Sequence, residues 1–88
     1  MPKVVNRSNP ELVQGEIVYV GRGTNWGNPF IMKGEWNRSN VCVMFENYAR
    51  WRLNEEPDWL LPLRGKNLEC HCAPKQCHAD TLLRLANQ

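Results

Sequence analysis

Between two short apolar runs, IVYV at 17–20 and NLECHC at 67–72, the sequence writes one long helix, and that order constrains the fold more than any other feature. Ser39 or Asn40 can cap the helix by accepting a bond from a free backbone N–H. Val41, Met44, Phe45, Tyr48, Trp51 and Arg52 then recur at three- and four-residue steps, which predicts a helix ending near Asn54. Two strands joined through a helix need a crossover, so they run parallel. Lys3 to Arg7 reads as a further short strand, joined to 17–20 through SNPELVQGE as a hairpin or a longer loop. Pro57 opens a turn through Asp58, Trp59, Leu60 and Leu61, and Gly65 breaks the chain. HADTLLRLA at 78–86 predicts a closing helix packed through Leu82, Leu83 and Leu85. The expectation is one compact α/β domain over residues 1–88, a Rossmann-like layer structure with about three strands and two main helices.

The length of 88 residues admits a single domain. A domain of this size buries only about 60–65% of its unfolded surface. Apolar residues at 42% and charged residues at 23% place the chain among folded proteins rather than disordered ones. Eleven Lys and Arg are scattered among nine Asp and Glu for a net charge of +2, so duplex nucleic acid is not indicated as a partner. No apolar run approaches the roughly 18–20 residues of a membrane span, and the start MPKVVNRSNP has no apolar stretch of a signal peptide. The expected location is the cytoplasm, the host's if the chain is phage-encoded. There Cys42, Cys70, Cys72 and Cys77 are thiols, metal ligands or reactive groups in preference to disulfides.

Two irregular segments carry the candidate chemistry. GRGTNWGNPF at 21–30 leaves the end of the second strand, and CHCAPKQCH at 70–78 leaves the end of the third. Parallel strands bring both to one edge of the sheet, where ligands of open α/β sheets bind. In the first segment Gly21, Gly23 and Gly27 allow positive φ and close backbone approach, and Arg22 offers a planar fork of donors to phosphate or carboxylate. Trp26 either stacks on a base or fills the small core, and Asn28 either reads a polar edge or turns the chain with Pro29. The pattern is neither a Walker loop nor a GxGxxG turn.

In the second segment Cys70 and Cys72 sit two apart on a strand and share a face, while His71 points to the other. Cys70, Cys72, Cys77 and His78 are the weak candidates for a metal. Their spacing is not a common zinc pattern, so no metal and no cofactor is expected. Cys70 and Cys72 otherwise serve as small core residues, as does Cys42 on the first helix. Cys77 and His78 open the last helix, whose N-terminal N–H groups favour an anion or a thiolate. Cys77, His78 and Asp80 are therefore the candidate catalytic residues, with helix capping by His78 and Asp80 as the plainer role.

YVGRGTNWGNPF followed by LRGKNLECHCAPKQCHADTLL resembles domain of unknown function 4326, a family of bacteriophages and bacteria. The matching positions are Gly21, Arg22, Gly23, Trp26, Gly27, Asn28, Pro29, Phe30, Cys70, Cys72, Pro74, Cys77, His78 and Asp80, and VVNR near the start also matches. His71 departs from the family pattern, where Trp is more usual. The resemblance implies a phage or mobile-element origin and a compact α/β fold, and it implies no activity. Three functions stay open. The first is a phage-type accessory protein whose two loops bind a nucleotide-like, phosphate-bearing ligand through Gly21, Arg22, Gly23, Trp26, Gly27, Asn28, Cys77 and His78. The second is a module that binds and inhibits a host protein through Trp36, Trp51 and Trp59. The third is a small zinc-stabilised architectural domain. The chain has no obvious pair of catalytic carboxylates, so whether it is an enzyme is open as well.

Overall fold

The structure, a computed structural model, describes residues 2–8, 13, 15–31, 33–71 and 75–88. Three strands, β1 (Val4–Asn6), β2 (Ile17–Tyr19) and β3 (Asn67–Cys70), form one sheet in the order β1-β3-β2. Both outer strands run parallel to β3, with Val4 and Val18 opposite Leu68. Two helices, α1 (Arg38–Glu55) and α2 (His78–Ala86), complete an α/β fold. α1 carries the chain from β2 to β3, and α2 follows β3. α2 packs on β1 and β3, and α1 packs on α2.

Of the two connections expected between the first two strands, a hairpin or a longer loop, the hairpin does not form. β1 and β2 lie on opposite sides of β3 and do not pair with each other. The last strand of the chain occupies the centre and is the most buried of the three, with Asn67, Leu68 and Cys70 all inside. Asn67 fixes the start of all three strands. Its buried amide accepts from the Lys3 N–H at 3.0 Å and donates to the Glu16 carbonyl at 3.2 Å, so one polar side chain ties β3 to both neighbours.

The core gathers Val20, Phe45, Ala49, Trp59, Leu60, Leu63, Leu68, Leu82 and Leu85 around the two helices. α2 matches the sequence expectation at both ends. α1 begins at Arg38, with Asn37 at the cap position in place of Ser39 or Asn40, and ends one residue later than expected, and its buried face differs from the expected stripe. Val41, Cys42, Phe45 and Ala49 are buried, whereas Met44 is 45% and Trp51 60% exposed. Phe45 and Ala49 pack in the core with α2, while Val41 and Cys42 face the cleft, so the helix is rotated away from its exposed Met44 and Trp51. The Trp59–Leu60 turn and a following 3-10 segment (Leu61–Leu63) close the end of the core.

Candidate functional site

A cleft of about 450 Å³ opens beyond the carboxyl ends of β2 and β3. Tyr19, Gly21 and Arg22 reach it from β2 and its loop, Cys70 and His71 from β3, and Cys77 and His78 from the start of α2. Asn28 and Phe30 line it from the far end of the first loop, and Arg38, Val41 and Cys42 from the start of α1. Residues of both unusual segments therefore share one hollow, as parallel strands dictate.

The first loop has two ends with different surroundings. At its start two tight turns fold the chain: the Thr24 hydroxyl donates to the Gly21 carbonyl at 2.7 Å, and the Gly27 N–H donates to the Thr24 carbonyl at 3.2 Å. Gly21 is buried against Tyr19, and a Cβ there would lie 2.2 Å from the tyrosine hydroxyl. A side chain at this position would push the tyrosine ring aside. Tyr19 is held on its face by the Arg7 guanidinium, 4.3 Å from the ring centroid, and edge-on by His71 at 5.8 Å. Arg22 is exposed at the cleft and makes no hydrogen bond or ion pair with any described residue.

The middle of the loop turns away from the cleft. Trp26 packs against the core, and its indole N–H donates to the Trp59 carbonyl at 3.1 Å. In return the Trp59 indole donates to the Asn25 carbonyl at 3.1 Å. Arg52 lies 4.4 Å above the Trp59 ring and donates to the Asn25 side-chain oxygen at 2.6 Å and to its carbonyl at 3.2 Å. Trp26 is thus half-buried against the core and lies outside the lining of this cleft. At the loop's end Asn28 spends its side-chain oxygen on the Phe30 N–H at 2.8 Å, holding the turn through Pro29.

On the other wall His78 is half-buried. Its Nε2 lies 2.8 Å from the Val20 carbonyl, an atom that only accepts, so Nε2 carries the proton in the neutral ring. Burial pushes the His78 pKa down, against the opposing pull of that carbonyl and of Asp80. Nδ1 is then an acceptor, 3.4 Å from the Cys77 Sγ, which in turn lies 3.3 Å from the Cys70 Sγ. Asp80 accepts from the Cys77 N–H at 3.1 Å, closing the first turn of α2 from outside the cleft. Arg38 donates to the Gln76 carbonyl at 2.8 Å and pairs with Glu35, which Lys75 also reaches at 3.2 Å. Hydrogen bonds from Arg38 and Lys75 hold the Glu35 carboxyl down at about 2. That ion-pair network ties the second loop to the start of α1 across the cleft.

Residues 4–88 match the profile of Domain of unknown function (DUF4326). The chain belongs to this family. It is also 34% identical over 74 residues to the Uncharacterized 12.4 kDa protein in nrdA-td intergenic region of Enterobacteria phage T4, which covers 81% of this chain and 68% of the phage protein. No solved structure matches.

The DUF4326 motif residues separate into three groups. Gly21, Arg22, Asn28, Phe30, Cys70, Cys77 and His78 line the cleft. Gly23, Trp26, Gly27, Pro29 and Asp80 are absent from its lining, Gly23 because it holds a left-handed turn at φ +89°. Cys72 and Pro74 fall outside the described residues. Among the described residues no three His, Cys, Asp or Glu side chains gather as a metal site. Tyr19, Arg38 and Gln76 line the cleft without having been singled out from the sequence. Tyr19 carried no signal beyond its place on a strand, whereas Arg38 is recognisable only once α1 is docked. Trp59 is buried, while Trp36 and Trp51 are 76% and 60% exposed. About 13 helical residues between them amount to roughly 20 Å of rise along α1. No helix of the described residues is long and apolar enough to cross a membrane.

Proposed function

We propose that the cleft binds a small phosphate-bearing ligand of the nucleotide class. The observation that carries this reading is Arg22, an arginine at the cleft with no partner among the described residues, on a loop whose middle is tightly held. An unengaged guanidinium on an anchored loop suits recognition of a phosphate, since its donor fork needs no reorganisation on binding. The N-terminus of α2 on the opposite wall supplies a favourable potential for negative charge. Tyr19, Phe30 and His71 offer flat apolar surface for a base or sugar, and the volume is within the range of small-ligand sites, about 300–1,000 Å³.

Calorimetric titration with inorganic phosphate, ribose 5-phosphate and nucleoside mono- and diphosphates tests the reading. A nucleotide should bind more tightly than inorganic phosphate, and Arg22→Ala should weaken its binding by about 1.5–3 kcal/mol, the worth of a charge-assisted bond. Absence of binding to every probe, or equal affinity in the Arg22→Ala protein, would sink the proposal.

A further inference from the structure

Independently of any phosphate, the floor of the cleft holds a second chemical array. Cys70 ends β3 and Cys77 immediately precedes α2, and both are thiols. Their sulfurs are 3.3 Å apart, at or inside van der Waals contact. The Nδ1 of His78 lies 3.4 Å from the Cys77 sulfur. With Nε2 committed to the Val20 carbonyl, that nitrogen has a lone pair turned to the thiol. Both cysteines line the cleft, Cys77 at 4% exposure and Cys70 at 1%.

We infer that Cys70 and Cys77, with His78 as proton acceptor, form a dithiol centre that reduces disulfides entering the cleft. Each partner has a role set by its position. Cys77 touches the base, and a thiolate there faces the positive end of the α2 dipole, so Cys77 is the attacking sulfur. Its Sγ–H proton passes to the His78 Nδ1. The thiolate displaces one sulfur of the incoming disulfide, forming a mixed disulfide with Cys77. The departing sulfur leaves as a thiolate and takes up the proton. Cys70, already against Cys77, loses its own proton to the base and attacks the Cys77 sulfur. The second half of the substrate leaves as a thiol, and a Cys70–Cys77 disulfide remains. The balance is one disulfide reduced to two thiols and one protein dithiol oxidised. The named oxidant class, an organic disulfide, supplies everything the exchange requires. The sulfurs must close from 3.3 Å to about 2.05 Å, a movement within reach of the strand end and helix start.

The test uses glutathione disulfide on the fully reduced full-length chain under anaerobic conditions, read by intact mass and peptide mapping. The expected product has lost two hydrogens, carries a Cys70–Cys77 crosslinked peptide and has released two glutathione molecules per chain. Cys70→Ser should stop at glutathione attached to Cys77. His78→Gln should slow the reaction at least about tenfold at neutral pH and much less at alkaline pH, where hydroxide replaces the lost base. A purely structural histidine would give no such pH-dependent recovery. A crosslink running through Cys42 or Cys72 in the wild-type chain, or no exchange while the chain is folded, would overturn the assignment. Stoichiometric zinc that shields the thiols until a chelator is added would overturn it equally. The wild-type mapping needs no variant, so a failure of Cys70→Ser to fold leaves the test intact.

Discussion

The two halves of the Gly21–Phe30 loop show how one short segment divides its labour. Asn25 and Trp26 are held by Arg52 and Trp59 through a closed set of hydrogen bonds and ring contacts. Gly21 and Arg22, only a few residues earlier, meet the cleft, and the arginine is left with no partner among the described residues. A hollow of nearly the same size, about 420 Å³, lies beside the anchored half between Asn25, Trp26, Glu56, Pro57, Asp58, Trp59 and Pro62. It differs from the cleft in chemistry: it contains no cysteine, no histidine and no arginine. Size therefore does not distinguish the two hollows. What distinguishes them is which side chains are already satisfied. The anchored half is satisfied by Arg52 and Trp59, and the open half leaves Arg22 exposed at the cleft.

The comparison can be broken most decisively at Trp59. Its ring is buried beneath Arg52 and donates to the Asn25 carbonyl, so Trp59→Ala should lower stability by about 3–5 kcal/mol in chemical denaturation. A loss below about 1 kcal/mol would mean that the loop is not anchored there. Arg52→Ala comes next. It removes the bonds to Asn25 and Tyr48 and the stack on Trp59, and a cost of about 1.5–3 kcal/mol is expected for charged hydrogen bonds. Nucleotide affinity, measured under conditions where the variant is folded, should also fall, because the anchor positions Arg22.

Gly21→Ala tests the junction of the halves. The added carbon meets the far end of Tyr19, which can swing, so stability should fall by only about 1 kcal/mol. The displaced ring would narrow the cleft, and ligand binding should suffer more than folding. His78 gives a pH signature on the opposite wall. Its folded pKa lies below the ordinary 6.5, so the unfolded chain binds more protons as pH falls through that value. Stability should be complete above about pH 6.5, decline as pH drops below it, and stop declining on this account beneath the folded pKa. Melting curves of wild type and His78→Gln between about pH 7.5 and pH 5.5 check this, and the variant should lose the slope. Arg22→Ala should have the smallest effect on folding, within about 0.5 kcal/mol by thermal melts. A large drop would move Arg22 into the anchored class and erase the contrast.

The sequence revealed the parts governed by local rules. The closing helix was legible at both ends because its N-terminal Asp80 and the spacing of Leu82 and Leu85 are written locally. The shared edge of the two motif loops followed from one crossover helix. The inner face of α1 was not legible in full. Hydrophobicity pointed to Met44 and Trp51, while docking placed the small Ala49 in the core and Cys42 at the cleft. A sequence shows which residues are apolar, but not how closely a partner helix must approach. Trp26 posed the same problem in reverse. Its ring suited both a base and the core, and Trp59, far along the chain, decided between them. The two sulfurs at 3.3 Å were beyond a pleat argument, since β3 ends at Cys70 and the helix begins after Cys77.

The strand order has a consequence for how the protein comes into being. β1 and β2 are made early, yet neither pairs with the other, and both wait for β3 at Asn67–Cys70. On a ribosome the first two strands and all of α1 emerge before any strand pairing can begin. The sheet is therefore assembled in one late event, closing loops of about fifty and sixty residues together, which makes for slow and cooperative folding. Until that moment the exposed edges of β1 and β2 are open to any extended chain nearby. A chain stalled before Asn67 would hold α1 and no sheet, a vulnerable state that the finished molecule leaves behind.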